Sequence, residues 1–105
     1  MSALTRSRFL VTGAQGFVGR YVIQSLLGIE GCHLLGMGRS QALRGSFTHR
    51  LASGVRAPLP QELVAAEVAE HYSYLQCDLA DVETLAAALA KFQPTHVIHL
   101  SLIHI

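Results

Sequence analysis

Charge is scarce in this chain. Only 14% of its 105 residues are Asp, Glu, Lys or Arg, the formal net charge is +1, and Lys91 is the only lysine. The basic residues are scattered, so there is no electrostatic footprint for nucleic acid and no such partner is expected. Cysteine is scarce too: Cys32 and Cys77 lie far apart in separate apolar segments. Met1 to Arg8 is too short and polar to be a secretory signal. Both thiols are therefore expected reduced and buried, in a cytoplasmic protein. A metal site needs more ligands at closer spacing than the six histidines provide. His96, His99 and His104 share one apolar run and read as strand-lining residues. No apolar stretch approaches the ~20 residues of a membrane helix, and no membrane partner is expected.

Half of the chain is hydrophobic, which excludes a disordered polyampholyte, and 105 residues suffice for one domain with a modest core. The most informative segment is Val11-Thr12-Gly13-Ala14-Gln15-Gly16-Phe17-Val18-Gly19. Its three glycines, at three-residue spacing, follow the apolar Phe9-Leu10-Val11 and open onto a helical pattern. Strand, tight turn and helix N-terminus together make a pyrophosphate-binding geometry, because unpaired backbone N–H groups and a partial positive charge meet there. Gly13 permits the turn, Gly16 lets phosphates approach the backbone, and Gly19 lets helix and strand pack closely. The glycine spacing alone is a weak signal, so the context must carry the assignment.

The context alternates strands and helices. Arg8 to Thr12 reads as a strand, followed by a helix over Phe17 to Leu27 with Val18, Tyr21, Val22, Ser25 and Leu26 on one face at helical spacing. Cys32 to Met37 reads as the second strand, and Gly38 to Pro60 as a long irregular excursion. Pro60 to His71 has a helical look, carried by Glu62, Leu63, Ala66, Glu67 and Val68. Tyr72 to Cys77 is the third strand. Asp81 is placed to cap a helix over Val82 to Phe92, with Leu85, Ala86, Leu89 and Phe92 inward. Thr95 to Leu100 is the fourth strand. Such alternation predicts an α/β fold, a parallel sheet with right-handed crossovers and flanking helices.

Beyond the second strand, where an acidic residue would accept from a ribose 2′-hydroxyl, stand Arg39 and Ser40. A guanidinium suits a 2′-phosphate, so NADP(H) is expected, with NAD as the other possibility. The alternative for Arg39 is an ordinary solvated loop arginine. Asp78 and Leu79 follow the third strand at the ligand-binding edge of such a sheet, where a carboxylate can accept from an adenine amino group. Asp78 equally suits a turn in which it bonds its own backbone.

Together these segments resemble the extended short-chain dehydrogenase/reductase family, the NAD-dependent epimerase/dehydratase group that acts on nucleotide sugars. The resemblance rests on Thr12 to Gly19, then Asp78-Leu79, then His96-Val97-Ile98-His99-Leu100, and covers the chain up to Leu100. It implies a Rossmann fold in which Gly13, Gln15, Gly16, Phe17, Val18 and Gly19 form the pyrophosphate turn. It also implies that Asp78 and Leu79 contact adenine and that Leu100 lines the nicotinamide side. The Gly38-Arg39-Ser40 sequence resembles the branch that reduces or dehydrates GDP- or dTDP-linked sugars with NADP. For the whole protein, a nucleotide-sugar substrate and a homodimer are expected.

The family's catalytic Tyr-x-x-x-Lys is not met here. Tyr21, Tyr72 and Tyr74 are followed four places later by Ser25, Gln76 and Asp78. Residues 1–100 thus read as the amino-terminal part of a dinucleotide-binding domain, truncated after the fourth strand and itself inactive, with catalysis in the parent. The family usually continues with a small-residue pair after His-Leu. This chain ends Ser101-Leu102-Ile103-His104-Ile105, which one frame of a common transposon-end sequencing adapter also encodes. Residues 101–105 are therefore expected to be a non-native tail. A second reading is a non-catalytic dinucleotide-binding or redox-sensing module. A phosphate-loop hydrolase is excluded, because Arg20 and Tyr21 follow Gly19 where lysine and a hydroxyl residue would stand.

Overall fold

The computed structural model describes residues 7–67 and 69–100; Val68 and the expected tail at 101–105 lie outside them. Four strands form a parallel sheet: β1 (Arg8–Thr12), β2 (His33–Gly38), β5 (Tyr72–Gln76) and β6 (His96–His99), in the order β5-β2-β1-β6. Helix α1 (Phe17–Leu26) connects β1 to β2, and α3 (Val82–Phe92) connects β5 to β6. Between β2 and β5 the chain makes a two-stranded antiparallel ribbon, β3 (Ser46–Arg50) with β4 (Arg56–Pro58), and then α2 (Gln61–Glu67). This is the expected α/β architecture of Rossmann type. No helix of the described residues is long and apolar enough to cross a membrane.

Alternation along the strands divides the core between the two faces of the sheet. Val11 and Leu34 meet Ile23 of α1, Ala14 and Cys32 on one face. On the other, Leu10, Met37 and Cys77 are covered by Leu85, Ala88 and Leu89 of α3. Both cysteines are buried and free. A third cluster joins Phe47 and Ala57 of the ribbon to Leu59 and Leu63 of α2. Burial of Leu63, 1% exposed, contributes about 1.5–3 kcal/mol. Asp81 caps α3 as the sequence predicts: its Oδ1 accepts from the Thr84 N–H at 3.2 Å.

Three sequence expectations are corrected. The stretch from Gly38 to Pro60 contains the β3–β4 ribbon, whose turn places Gly54 at φ +88° and closes with Leu51 N–H donating to Val55 O at 2.8 Å. A ribbon this short, with only Phe47 and Ala57 buried in its strands, has no long alternating pattern to announce it. The fully buried residues of α1 are Gly19, Arg20 and Ile23; Val22 and Leu26 pack against the core, whereas Val18 is 58% exposed and Tyr21 36%. An arginine on the buried stripe displaced the predicted face by a fraction of a turn. In α3, Ala86 is exposed and Ala88 takes its place against the sheet.

Candidate functional site

At the carboxyl end of β1 the chain turns through Gly13 at φ +66°, where a side chain would be strained. The turn is tied down twice: Ala14 N–H donates to Met37 O at 3.2 Å, and Gly16 N–H donates to Gly13 O at 3.1 Å. A Cβ on Gly13 would also lie 2.6 Å from the Leu100 carbonyl oxygen, so the end of β6 packs directly on the turn. A Cβ on Gly19 would collide with the Gly13 carbonyl and with Ala14 backbone, which makes Gly19 a packing glycine. Gly16 differs. It sits at φ −70°, and its only close neighbour would be Gly13 O at 3.4 Å, ordinary contact. Space therefore remains in front of Gly16.

Gly16 is also the N-cap of α1. No side chain caps this helix and no acidic residue stands in its first turn. Its first N–H groups thus keep their donor capacity, and no side-chain cap or first-turn carboxylate among the described residues neutralises the positive end of the helix. Phe17 and Val18 flank the mouth, 57% and 58% exposed. The Thr12 hydroxyl, one residue before the turn, accepts from Leu100 N–H at 3.0 Å and lies 2.7 Å from His99 Nδ1. Strand β6 is thereby locked beside the turn.

The loop after β2 is held from several sides. Gln15 Nε2 donates to Ser40 Oγ and to Gln41 O, both at 2.8 Å, while Gln15 Oε1 accepts from Leu43 N–H. Gln15 is 4% exposed, so its side chain is committed to this loop. Arg20 completes the attachment: Nη2 donates to Leu43 O at 2.7 Å and to Ser46 O at 2.9 Å, and Nη1 pairs with Glu67 Oε1 at 3.2 Å. Burial pulls the Arg20 guanidinium below its ordinary value, and the Glu67 carboxylate opposes that shift. Arg39 itself is exposed at the end of β2.

Asp78 and Leu79 lie after β5, two strands away from β1 in the sheet. Asp78 Oδ1 accepts from Ala80 N–H at 3.0 Å, the turn arrangement that its sequence position equally suited. Leu79 is 39% exposed. The structure therefore brings Gly13, Gly16, Gly19 and Leu100 into contact around one turn and joins Ser40 to it through Gln15. Asp78 and Leu79 stand at the same edge of the sheet but at a distance along it.

Sequence reasoning missed Arg20, Glu67, Tyr74 and Gln76. The spacing of Gly16, Arg20 and Ile23 was the available signal for Arg20, since these positions recur every three or four residues. Discounting charged residues as core members concealed it. Tyr74 and Gln76 carry no local signal, because their partners are loop carbonyls more than thirty residues away.

The model of the NAD dependent epimerase/dehydratase family matches residues 9–104. The chain belongs to that family. Its fold recurs in WbmG of Bordetella bronchiseptica in complex with NAD, at 24% identity and TM-score 0.62, over 92% of this chain and 25% of that one. It recurs in the UDP-glucuronic acid 4-epimerase of Bacillus cereus in complex with NAD, at 23% identity and TM-score 0.64, over 93% and 28%. The UDP-glucose-4-epimerase of Stenotrophomonas maltophila, solved with bound NAD and formylated UDP-arabinopyranose, matches at 20% identity and TM-score 0.63, over 94% and 25%. Likeness at these identities establishes the shared fold. The chain spans about a quarter of the length of these structures. A search of curated proteins gives no match.

Proposed function

We propose that residues 1–100 are the dinucleotide-binding part of an NADP(H)-dependent oxidoreductase, epimerase or dehydratase that acts on a nucleotide sugar in the cytoplasm. The observation that carries this reading is the uncapped, acid-free N-terminus of α1 facing the open space at Gly16. A diphosphate bridge fits such a place: it accepts from first-turn N–H groups and gains from the helix dipole. Gly13, Gly16, Phe17, Val18 and Gly19 would hold it, with Gln15 supporting the turn from behind. Arg39 and Ser40, with no carboxylate at the ribose position, favour a 2′-phosphate over a free hydroxyl. Asp78 and Leu79 would border adenine, and Leu100, packed on Gly13, the nicotinamide side.

When bound, the nicotinamide supplies reversible hydride exchange with a carbinol carbon of the sugar. This chain's own contribution is to bind and orient the dinucleotide. The proton-transferring tyrosine and lysine of the family have no counterpart within it. The relatives solved with NAD set the alternative at the ribose. Isothermal titration with NADPH and with NADH decides both questions. Binding of NADPH at least tenfold tighter than NADH is expected; no heat with either dinucleotide overturns the reading, and tighter NADH overturns the role of Arg39.

A further inference from the structure

The loop that follows β2 has its backbone carbonyls taken one after another by side chains from separate elements. Gln76 Nε2 donates to Arg39 O at 3.0 Å. The Tyr74 hydroxyl donates to Ser40 O at 2.7 Å and lies 3.5 Å from Ser40 Oγ. From the opposite side, Gln15 donates to Ser40 Oγ and Gln41 O. Tyr74 and Gln76 are two residues apart on β5 and so share a face of that strand. The fit is close, since a Cβ on Gly38 would lie 2.7 Å from the Tyr74 hydroxyl. β2 must end in glycine for the phenol to reach past it to Ser40.

Such an arrangement is more than loop packing. Arg39 is exposed and its side chain makes no hydrogen bond among the described residues, whereas its carbonyl and that of the next residue are fixed to β5. The Gly38 carbonyl accepts from Cys77 N–H at 2.8 Å and the Arg39 carbonyl from Gln76, so the peptide planes on both sides of the Arg39 Cα are fixed, and with them the direction in which its side chain leaves the backbone. A long arginine otherwise loses substantial rotamer freedom on engaging an anion. Holding its base in one orientation reduces that loss for one ligand geometry.

We propose that Tyr74 and Gln76 are specificity-determining positioning residues, which orient Arg39 through the Arg39 and Ser40 carbonyls and so set the choice between a 2′-phosphate and a 2′-hydroxyl on the ribose. The proposal rests on the NADP(H) reading above. It differs from that reading in assigning the discrimination to residues of β5 that touch no ligand. Gln15 cannot serve as the diagnostic position, because it also supports the pyrophosphate turn. Tyr74 and Gln76 lie on the neighbouring strand and avoid that overlap.

The test compares wild type, Tyr74→Phe and Gln76→Ala by titration with NADPH and NADH. Amide hydrogen exchange of Gln41 and Leu43 is followed alongside. Tyr74→Phe keeps the ring and removes only the donor. The ratio of NADPH to NADH affinity is expected to fall about fivefold to tenfold, as the loss of one ordinary hydrogen bond dictates, with NADH affinity unchanged. Gln76→Ala, at an exposed position, is expected to lower the ratio in the same direction and serves as the independent variant should Tyr74→Phe fail to fold. Faster exchange in the loop accompanies both. An unchanged ratio in both variants, or equal loss of both dinucleotides, overturns the inference while leaving wild-type NADPH binding intact. Failure of the wild type to prefer NADPH removes the underlying reading instead, and is seen before any variant is measured.

Discussion

Arg20 and Glu67 meet at 3.2 Å and join α1 to α2, with side chains only 6% and 8% exposed. The same carboxylate oxygen accepts from Gly45 N–H at 2.9 Å, and the same guanidinium holds Leu43 O and Ser46 O. This pair is therefore the junction through which two helices grip the loop beside the candidate site. Removing one partner of a buried pair leaves an uncompensated charge, which costs roughly 3 kcal/mol. Glu67→Ala is expected to lower stability by about that much in urea denaturation, a large share of the 5–15 kcal/mol typical of a domain. Arg20→Met with Glu67→Met should recover only part of it, because the Leu43 and Ser46 carbonyls remain without their donor. Full recovery would reduce the junction to a simple ion pair.

The glycines of the turn separate folding from binding. Gly19→Ala places a Cβ against the Gly13 carbonyl and Ala14 backbone, neither of which can yield cheaply. It is expected to unfold the domain or lower its melting temperature severely. The Cβ of Gly16→Val meets only ordinary contact at an allowed φ, so circular dichroism should remain native. Its side chain would fill the space a diphosphate needs, and dinucleotide affinity should fall at least a hundredfold. Retained affinity in Gly16→Val would end the assignment of the turn.

The NADP(H) proposal rests on Arg39, and a charge reversal there tests it. Arg39→Asp exchanges a phosphate-pairing guanidinium for a hydroxyl-accepting carboxylate at an exposed position, so the fold should be unaffected. Weaker NADPH binding and stronger NADH binding are expected, with a change in preference of about two orders of magnitude for the loss of a charge-assisted contact worth roughly 1.5–3 kcal/mol. Unchanged preference removes Arg39 from the ribose position.

How far the sequence could be read follows from these residues. The parallel sheet and the glycine turn were legible because strand runs, three glycines and an Asp81 cap are local signals, each written within a few residues. The loop after β2 was not. Its order comes from Gln15, Arg20, Glu67, Tyr74 and Gln76, contacts 22 to 37 residues apart in which side chains serve backbone groups without regard to residue type. Asp78 illustrates the middle case, in which position suggested a ligand contact and a turn equally, and the structure contains the turn.

Three buried groups, one phenol and two thiols, give the fold an alkaline limit. Burial pushes the Tyr72 phenol up to about 12, against the opposing pull of Arg20. Burial likewise raises the Cys32 and Cys77 thiols. A raised folded value means that the unfolded chain releases its proton first. The stabilising contribution is thus whole below the unfolded value of about 10 for a phenol and is lost as pH climbs toward 12. Urea midpoints should fall over that window, and Tyr72→Phe should flatten the decline. Both thiols should resist alkylation at neutral pH until the protein unfolds; rapid labelling of native protein would contradict their burial.

Strand β6 supplies the last prediction. It pairs with β1 on one side and forms an edge of the four-stranded sheet among the described residues. Its Val97 is 58% exposed, on the same face as Leu10, with which it is in register. An apolar edge strand offers unpaired N–H and C=O groups together with a sticky side chain, the combination that templates pairing with another chain. The 105-residue polypeptide expressed alone is therefore expected to self-associate at about micromolar concentrations and above, the range in which exposed edges aggregate. Val97→Lys places a charge on that edge without touching the buried core, and should shift sedimentation toward monomer. A wild-type chain that sediments as a stable monomer at tens of micromolar (about that range) would show the edge to be protected, and Val97→Lys would then change nothing.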